Sequence, residues 1–280
     1  MGKPVTLGVS GWRLHGQRTG VGRYLLNLIQ NWTPDLVAGR YDRITIYTPV
    51  PFDGGDISLP EGISHKVLPP GLPMVAWENL RLGPFAGESV MLYPSFSRPL
   101  LTRGASVVVT HDATMRLHPE LFTSRDKRFY DPLYGWSSRA ATLVITTTNA
   151  AKADITREWN VEGEKIHVTH LASAECFRPL ETSVDRSAMR QSLTGSDTPY
   201  FLFVGKLSGR RNLPKLLEAF AVFRRTTGHP HNLLMVGPQY AITALEKLAD
   251  ELGVRSHLIT RTFVKDPELN DLYNCAHAFV

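Results

Sequence analysis

Two hydrophobic periods alternate along this chain. Short strand-like runs rich in apolar and β-branched residues stand at residues 5–9, 44–47, 64–68, 90–93, 105–112, 142–147 and 165–170. They recur at 201–204, 232–236, 257–264 and 276–280. Runs of this length, rich in Val and Ile, predict strands buried on both faces. Between them lie stretches with apolar residues three and four apart. Tyr24, Leu25, Leu28 and Ile29 make one such face, and Leu213, Leu216, Leu217, Phe220 and Ala221 make another. Further helices are predicted at 75–82, 150–159, 187–193 and 241–252, the penultimate one ending near Leu193 and the last before Gly253. Asn149 is expected to cap the helix that follows it, and Asp266 to cap a helix with Pro267 at its first position. A mixed basic and aromatic segment at 122–141 contains Pro132, which is expected to break or kink it. Strand alternating with helix means an α/β chain with parallel sheets. The pattern places an N-terminal Rossmann-like domain at 1–178, a linker at 179–198, and a partial second Rossmann-like domain at 199–280.

Candidate chemistry sits where strands end. After the apolar run 201–204 comes Gly205, then Lys206, Ser208, Gly209, Arg210 and Arg211, then a helix. A glycine turn feeding a helix N-terminus offers free N–H groups and the positive end of a dipole. With added cations it suits a doubly charged anion, most simply a diphosphate. A solvated basic turn would carry the same residues. Near the N-terminus, Gly20-Val21-Gly22 lets backbone approach a ligand closely, with Arg23 at the start of the next helix. The run 105–112 ends in His111 and Asp112, the kind of position where open α/β sheets bind ligands. His111 suits a hydrogen bond to a sugar hydroxyl or a leaving oxygen, and Asp112 suits orienting it or capping the next turn. His167 and His170 lie on opposite faces of a strand and do not share a metal.

Composition narrows the class. Of 280 residues, 42% are hydrophobic and 20% charged, which means a globular chain of about two domains. The net charge of +5 permits an anionic partner without choosing one. Two distant cysteines, Cys176 and Cys275, give neither a disulfide framework nor a zinc pattern. With no apolar leader and no run of membrane-spanning length, the expected location is the cytosol. Arg125, Lys127, Arg128, Phe129 and Tyr130 make the 122–141 segment a candidate for peripheral contact with an anionic lipid surface. No alternating strip of aromatics and cations points to nucleic acid, which is not an expected partner.

The ordered set of motifs resembles glycosyltransferase family 4, retaining enzymes of the two-Rossmann GT-B fold. Gly20-Val21-Gly22-Arg23-Tyr24 with Leu25-Leu26-Asn27-Leu28 is similar to that family's acceptor-side glycine loop. Val109-Thr110-His111-Asp112 followed by Pro119-Glu120 resembles its strand-end His-Asp stretch, and Thr147-Thr148-Asn149 its turn into a helix. Gly205-Lys206 with Arg211-Asn212-Leu213 and Glu218-Ala219-Phe220 resembles its G-R-L-S-x-x-K-N-L signature. Leu234-Met235-Val236-Gly237, then Asp266-Pro267-Glu268-Leu269, follow in the family's order.

The resemblance implies two domains facing across a cleft. It implies transfer of a hexose, mannose-type by preference, from a GDP- or UDP-linked sugar to a glycan or lipid-linked acceptor. Gly205, Lys206 and Arg211 would hold the donor diphosphate. His111 and Asp112 would serve catalysis, and Gly20, Gly22 and Arg23 the acceptor. No Asp-x-Asp occurs in the chain, in keeping with a metal-independent reaction without cofactor. The family's two glutamates, spaced E-x7-E, are expected past Val280, so the second domain is expected to be incomplete. A sugar-nucleotide epimerase of the same fold and a non-catalytic nucleotide-binding module are the alternatives.

Overall fold

The structure is a computed structural model that describes residues 4–16, 18, 20–33, 35, 39–52, 57–207, 211–238 and 242–280. The chain divides into two compact units, Met1–Ala172 and Ser173–Val280.

The first unit holds strands β1 (Thr6–Ser10), β2 (Arg43–Thr48), β3 (Ile63–Val67), β4 (Val90–Tyr93), β5 (Ala105–Val109), β6 (Leu143–Thr146) and β7 (Ile166–Val168). They form one parallel sheet in the order β3-β2-β1-β4-β5-β6-β7. The chain winds outward from β1 to β3, then crosses back to add β4 on the other side of β1. That reversal is the doubly wound order in which ligands sit off the carboxyl ends of the two central strands.

Side chains on each strand alternate between two apolar layers, as the pleat requires. Leu7, Val9, Ile44, Ile46, Leu92 and Val109 pack on one face with Leu25 and Ile29 of helix α1 (Gly20–Gln30). Met91, Tyr93, Val108, Val144 and Ile166 pack on the other with Trp77, Leu82, Ile155 and Trp159. Burying such a side chain contributes about 1.5–3 kcal/mol, which is why both faces must be covered.

The second unit repeats the plan. Strands β8 (Tyr200–Val204), β9 (Asn232–Val236), β10 (Leu258–Arg261) and β11 (Ala278–Phe279) are parallel, in the order β10-β9-β8-β11. Phe203, Leu233 and Met235 face helix Leu213–Thr227, through Leu213, Leu217 and Phe220. Tyr200, Leu202, Leu234 and Val236 face Leu269 and Leu272 of helix Asp266–Cys275. The reversal lies between β8 and β11.

Four local expectations are corrected. Gly20 and Gly22, expected in a loop before the helix, form the first turn of α1 together with Arg23. The helix can start early because Gly22 tucks under the Arg13 carbonyl, where a Cβ would come within 2.5 Å of that oxygen. Pro132 does not end its helix, which runs unbroken over Ser124–Ala140. Buried Asp131, Gly135, Ser137 and Ser138 hold that helix in place, and tertiary packing outweighs the one hydrogen bond proline removes. Thr148, not Asn149, is the cap, its hydroxyl accepting the Ala151 amide at 3.0 Å. Lys265, not Asp266, precedes the last helix.

Residues 179–198, expected as linker, carry helix Arg186–Thr194. They lie inside the second unit, where Asn270 and Asn274 accept the Arg178 and Leu180 amides. No helix among the described residues is long and apolar enough to cross a membrane.

Candidate functional site

At the first reversal point the chain gathers a polar cluster. Ser10 closes β1, and Ser95 and Ser97 follow β4. Glu78 opens a π turn, Glu78–Leu82, between the helical turns Met74–Trp77 and Gly83–Phe85. The wider turn directs this carboxylate into the sheet end, where only 1% of the residue stays exposed. Ser10 Oγ donates to Glu78 Oε1 at 3.0 Å and Ser97 Oγ donates to Oε2 at 2.7 Å. One carboxylate therefore ties the ends of β1 and β4 together. Burial pushes its pKa up to about 7, against the pull of the two serines and of Arg13. Arg13 itself lies half-buried in the turn Trp12–Leu14 after β1, and its Nε–H donates to Ser95 Oγ at 2.9 Å.

His111 stands two residues past β5, half-buried. Its Nε2 lies 3.2 Å from the Pro94 carbonyl oxygen. A carbonyl only accepts, so Nε2 carries the proton, and Nδ1 presents a lone pair in the neutral ring. Tyr24 of α1 and Phe96 flank the imidazole edge to face, each with centroids 5.3 Å away. Phe96 in turn stacks on Tyr134 at 4.9 Å. Phe96 has φ +66°, a left-handed backbone that a bulky residue adopts at a cost of about 1–3 kcal/mol. Such strain persists where neighbours impose it, and here it sets an aromatic ring against His111. Burial lowers the pKa of His111, and Arg13 lowers it further, opposed by the Pro94 carbonyl and Asp112.

Asp112 turns the other way, with Oδ1 accepting the Thr114 amide at 2.8 Å to start the helical turn Thr114–Leu117. Arg23 is half-buried in the first turn of α1, and Gly20 is exposed, with open space where a Cβ would stand.

At the carboxyl ends of β8 and β9, next to the second reversal point, two glycines interlock. Gly205 after β8 has φ +157° and Gly237 after β9 has φ +153°. A Cβ on Gly237 would fall 1.8 Å from the Gly205 carbonyl oxygen. The backbone ladder continues through them, with Gly205 N–H donating to Val236 O, Leu207 N–H to Pro238 O and Gly237 N–H to Arg261 O. Arg211 is exposed, and its Nε would be 3.8 Å from a Cβ on Gly205, so its guanidinium lies beside that turn. Lys206 is exposed next to Gly205. Ser208, Gly209 and Arg210 lie outside the described residues.

Helix Leu213–Thr227 begins after Asn212, at φ +49°, without a side-chain cap. Its leading N–H groups are therefore not taken up by a capping side chain. Arg261, closing β10, is paired with Glu268 at 2.6 Å.

The structure thus brings Gly22 and His111 to one strand-end cluster, and Gly205, Lys206 and Arg211 to another. Glu78, Ser10, Ser97, Arg13 and Phe96 were absent from the expected set. Glu78 carries a signal in the sequence, as a lone acid within Met74-Val75-Ala76-Trp77-Glu78-Asn79-Leu80. The serines and Arg13 carry none, because only the sheet order makes them neighbours.

The profile of the family described as glycosyl transferases group 1 matches residues 185–280. An alpha-D-kanosaminyltransferase of Streptomyces kanamyceticus is 24% identical over 176 residues, covering 61% of this chain and 45% of that relative. The O-antigen chain mannosyltransferase B of Escherichia coli is 25% identical over 189 residues, covering 67% of this chain and 49% of the relative. The chain spans about half the length of these curated relatives. Among solved structures, Anabaena Alr3699/HepE in complex with UDP-glucose superposes with a TM-score of 0.70 at 18% identity, covering 99% of this chain and 73% of the other. The second unit thus carries the group 1 glycosyl transferase profile over residues 185–280, two curated glycosyltransferases are similar to the chain in sequence, and its two doubly wound units are similar in fold to the solved UDP-glucose complex.

Proposed function

We propose that this chain belongs to a retaining, metal-independent hexosyltransferase of cell-surface polysaccharide synthesis. It moves a hexose, mannose-type by preference, from a UDP- or GDP-linked donor to a glycan or lipid-linked acceptor. The observation that carries the reading is the turn after β8. Interlocked Gly205 and Gly237 leave no room for a side chain between them there, Arg211 lies beside Gly205, and helix Leu213–Thr227 starts two residues after Arg211 without a side-chain cap. Lys206 and Arg211 bind the diphosphate and stabilise the charge that grows on it as the glycosidic bond breaks. Removing one such fixed cation costs about 3 kcal/mol of barrier. The kanosaminyl- and mannosyltransferase relatives support a hexose donor.

The first unit takes the acceptor. Neutral His111, held through Nε2, offers Nδ1 to a sugar hydroxyl, and α1 with Gly20, Gly22 and Arg23 borders that subsite. Asp112 acts on His111 through its charge. Helix Ser124–Ala140 exposes Phe129 beside Arg125 and Arg128, a composition suited to peripheral contact with the cytosolic face of an anionic membrane.

Calorimetric titration of UDP and GDP into the wild type and into the Lys206→Ala, Arg211→Ala double variant tests the donor site. Loss of binding in the double variant is expected. Unchanged affinity removes the diphosphate assignment.

A further inference from the structure

We propose that Arg13 reads an anionic group, a phosphate or a carboxylate, on the sugar that occupies the first unit's subsite beside His111. The inference rests on the reading of that unit as the acceptor side and names the acceptor's chemistry.

Three observations converge. First, Arg13 is half-buried, yet among the described residues it has no carboxylate partner. Its only hydrogen bond is the one from Nε to Ser95, and its Cζ lies 5.4 Å over the Trp12 ring. The two Nη groups keep their donors unspent. A partly desolvated guanidinium without an anion is unfavourable unless a ligand completes it. Second, Glu78, the acid that feels the charge of Arg13, forms no ion pair with it among the described residues. Glu78 spends both oxygens on Ser10 and Ser97, and burial keeps its carboxyl partly protonated at neutral pH. Third, the cation is held in place within the same strand-end cluster as His111. Ser95 fixes Nε, the Arg13 carbonyl is pinned against Gly22, and the Phe96 and His111 rings stand nearby. The charge of Arg13 is felt at both His111 and Tyr134, which places it within this cluster. A planar fork with free Nη donors matches the paired oxygens of a phosphate or carboxylate.

The test titrates glucose 6-phosphate, glucuronate and glucose into the wild-type chain, R13Q and R13K, with UDP titrated in parallel. One or both anionic sugars are expected to bind while glucose binds at least about tenfold more weakly, the worth of a charge-assisted pair. The stronger of the two anions tells phosphate from carboxylate. R13Q is expected to lose that preference, and R13K, which keeps the charge without the fork, to fall between. UDP affinity stays unchanged in both variants, which also shows that they fold. In the wild type, the bound anion is expected to raise the midpoint of the His111 titration, because it offsets the positive charge of Arg13. Equal binding of glucose and the anions, no binding of either anion, or an anion preference that survives in R13Q overturns the proposal. Absence of UDP binding alongside Arg13-dependent binding of an anionic sugar overturns the donor assignment and leaves this one standing.

Discussion

The rings of His111 and Tyr24 meet edge to face with centroids 5.3 Å apart, which joins the segment after β5 to α1. With Pro94 holding Nε2 and Tyr24 and Phe96 on either side, the imidazole has one orientation and one tautomer. His111 is therefore expected to be neutral at pH 7, with Nδ1 unprotonated. Its titration midpoint falls below the ordinary 6.5, chiefly through burial. The unfolded chain then takes up this proton first, so its contribution to stability is intact above pH 6.5 and is lost as the pH falls below it. Long-range nitrogen–proton NMR reads both tautomer and midpoint. Tyr24→Ala, which opens the ring to water, is expected to move the midpoint up. A wild-type midpoint above 6.5 would contradict the packing argument.

Glu78 runs in the opposite direction. Its carboxyl titrates near 7 when folded and near 4.5 when free. Between those values the folded chain holds the extra proton, so stability falls as pH rises from 4.5 to 7 and is level above. The full difference amounts to about 3 kcal/mol. Glu78→Gln is expected to remove that slope while leaving the His111 contribution in place. Urea unfolding of both proteins across this range measures it. Parallel pH profiles for the two would show that Glu78 is ionised throughout.

The glycine pair after β8 and β9 predicts an unequal response to one methyl group. Gly237→Ala drives a Cβ into the Gly205 carbonyl and is expected to cost about 3 kcal/mol or more. Gly228→Ala, also at positive φ but facing open space, is expected to cost only about 1 kcal/mol. Similar losses for the two in thermal or urea unfolding would show that the close approach yields easily.

Asp112 separates geometry from charge. Asp112→Asn keeps an oxygen for the Thr114 amide and is expected to leave stability within about 0.5 kcal/mol of wild type. Asp112→Ala loses that bond at a cost of about 1 kcal/mol. Both variants are expected to lower the His111 midpoint, since the Asp112 charge is one of the groups raising it. An unmoved midpoint would leave Asp112 with the turn alone.

Most elements announced themselves in the sequence, because a buried strand has few ways to be written. Val90–Tyr93 and the Leu233–Val236 part of Asn232–Val236 are unbroken apolar runs in the sequence and strands in the structure. Helix Leu213–Thr227 follows from its apolar spacing alone. Where local rules misled, packing had overruled them: proline sits inside Ser124–Ala140, and α1 begins on two glycines. Helix Arg186–Thr194 was legible, but its place in the second unit was not, since that depends on side-chain bonds from Asn270 and Asn274, more than 70 positions away along the chain.

The same division holds for the sites. Sequence alone determined that cations and glycines follow β8 and that a histidine follows β5, because these groups lie next to the strands that carry them. Only the tertiary structure decided that Glu78 clamps Ser10 to Ser97, that Arg13 lies with its fork unspent near His111, and that Gly205 and Gly237 must both be glycine. Each of these is a contact between segments distant in the chain, made when parallel strands come together in one order and their carboxyl ends converge.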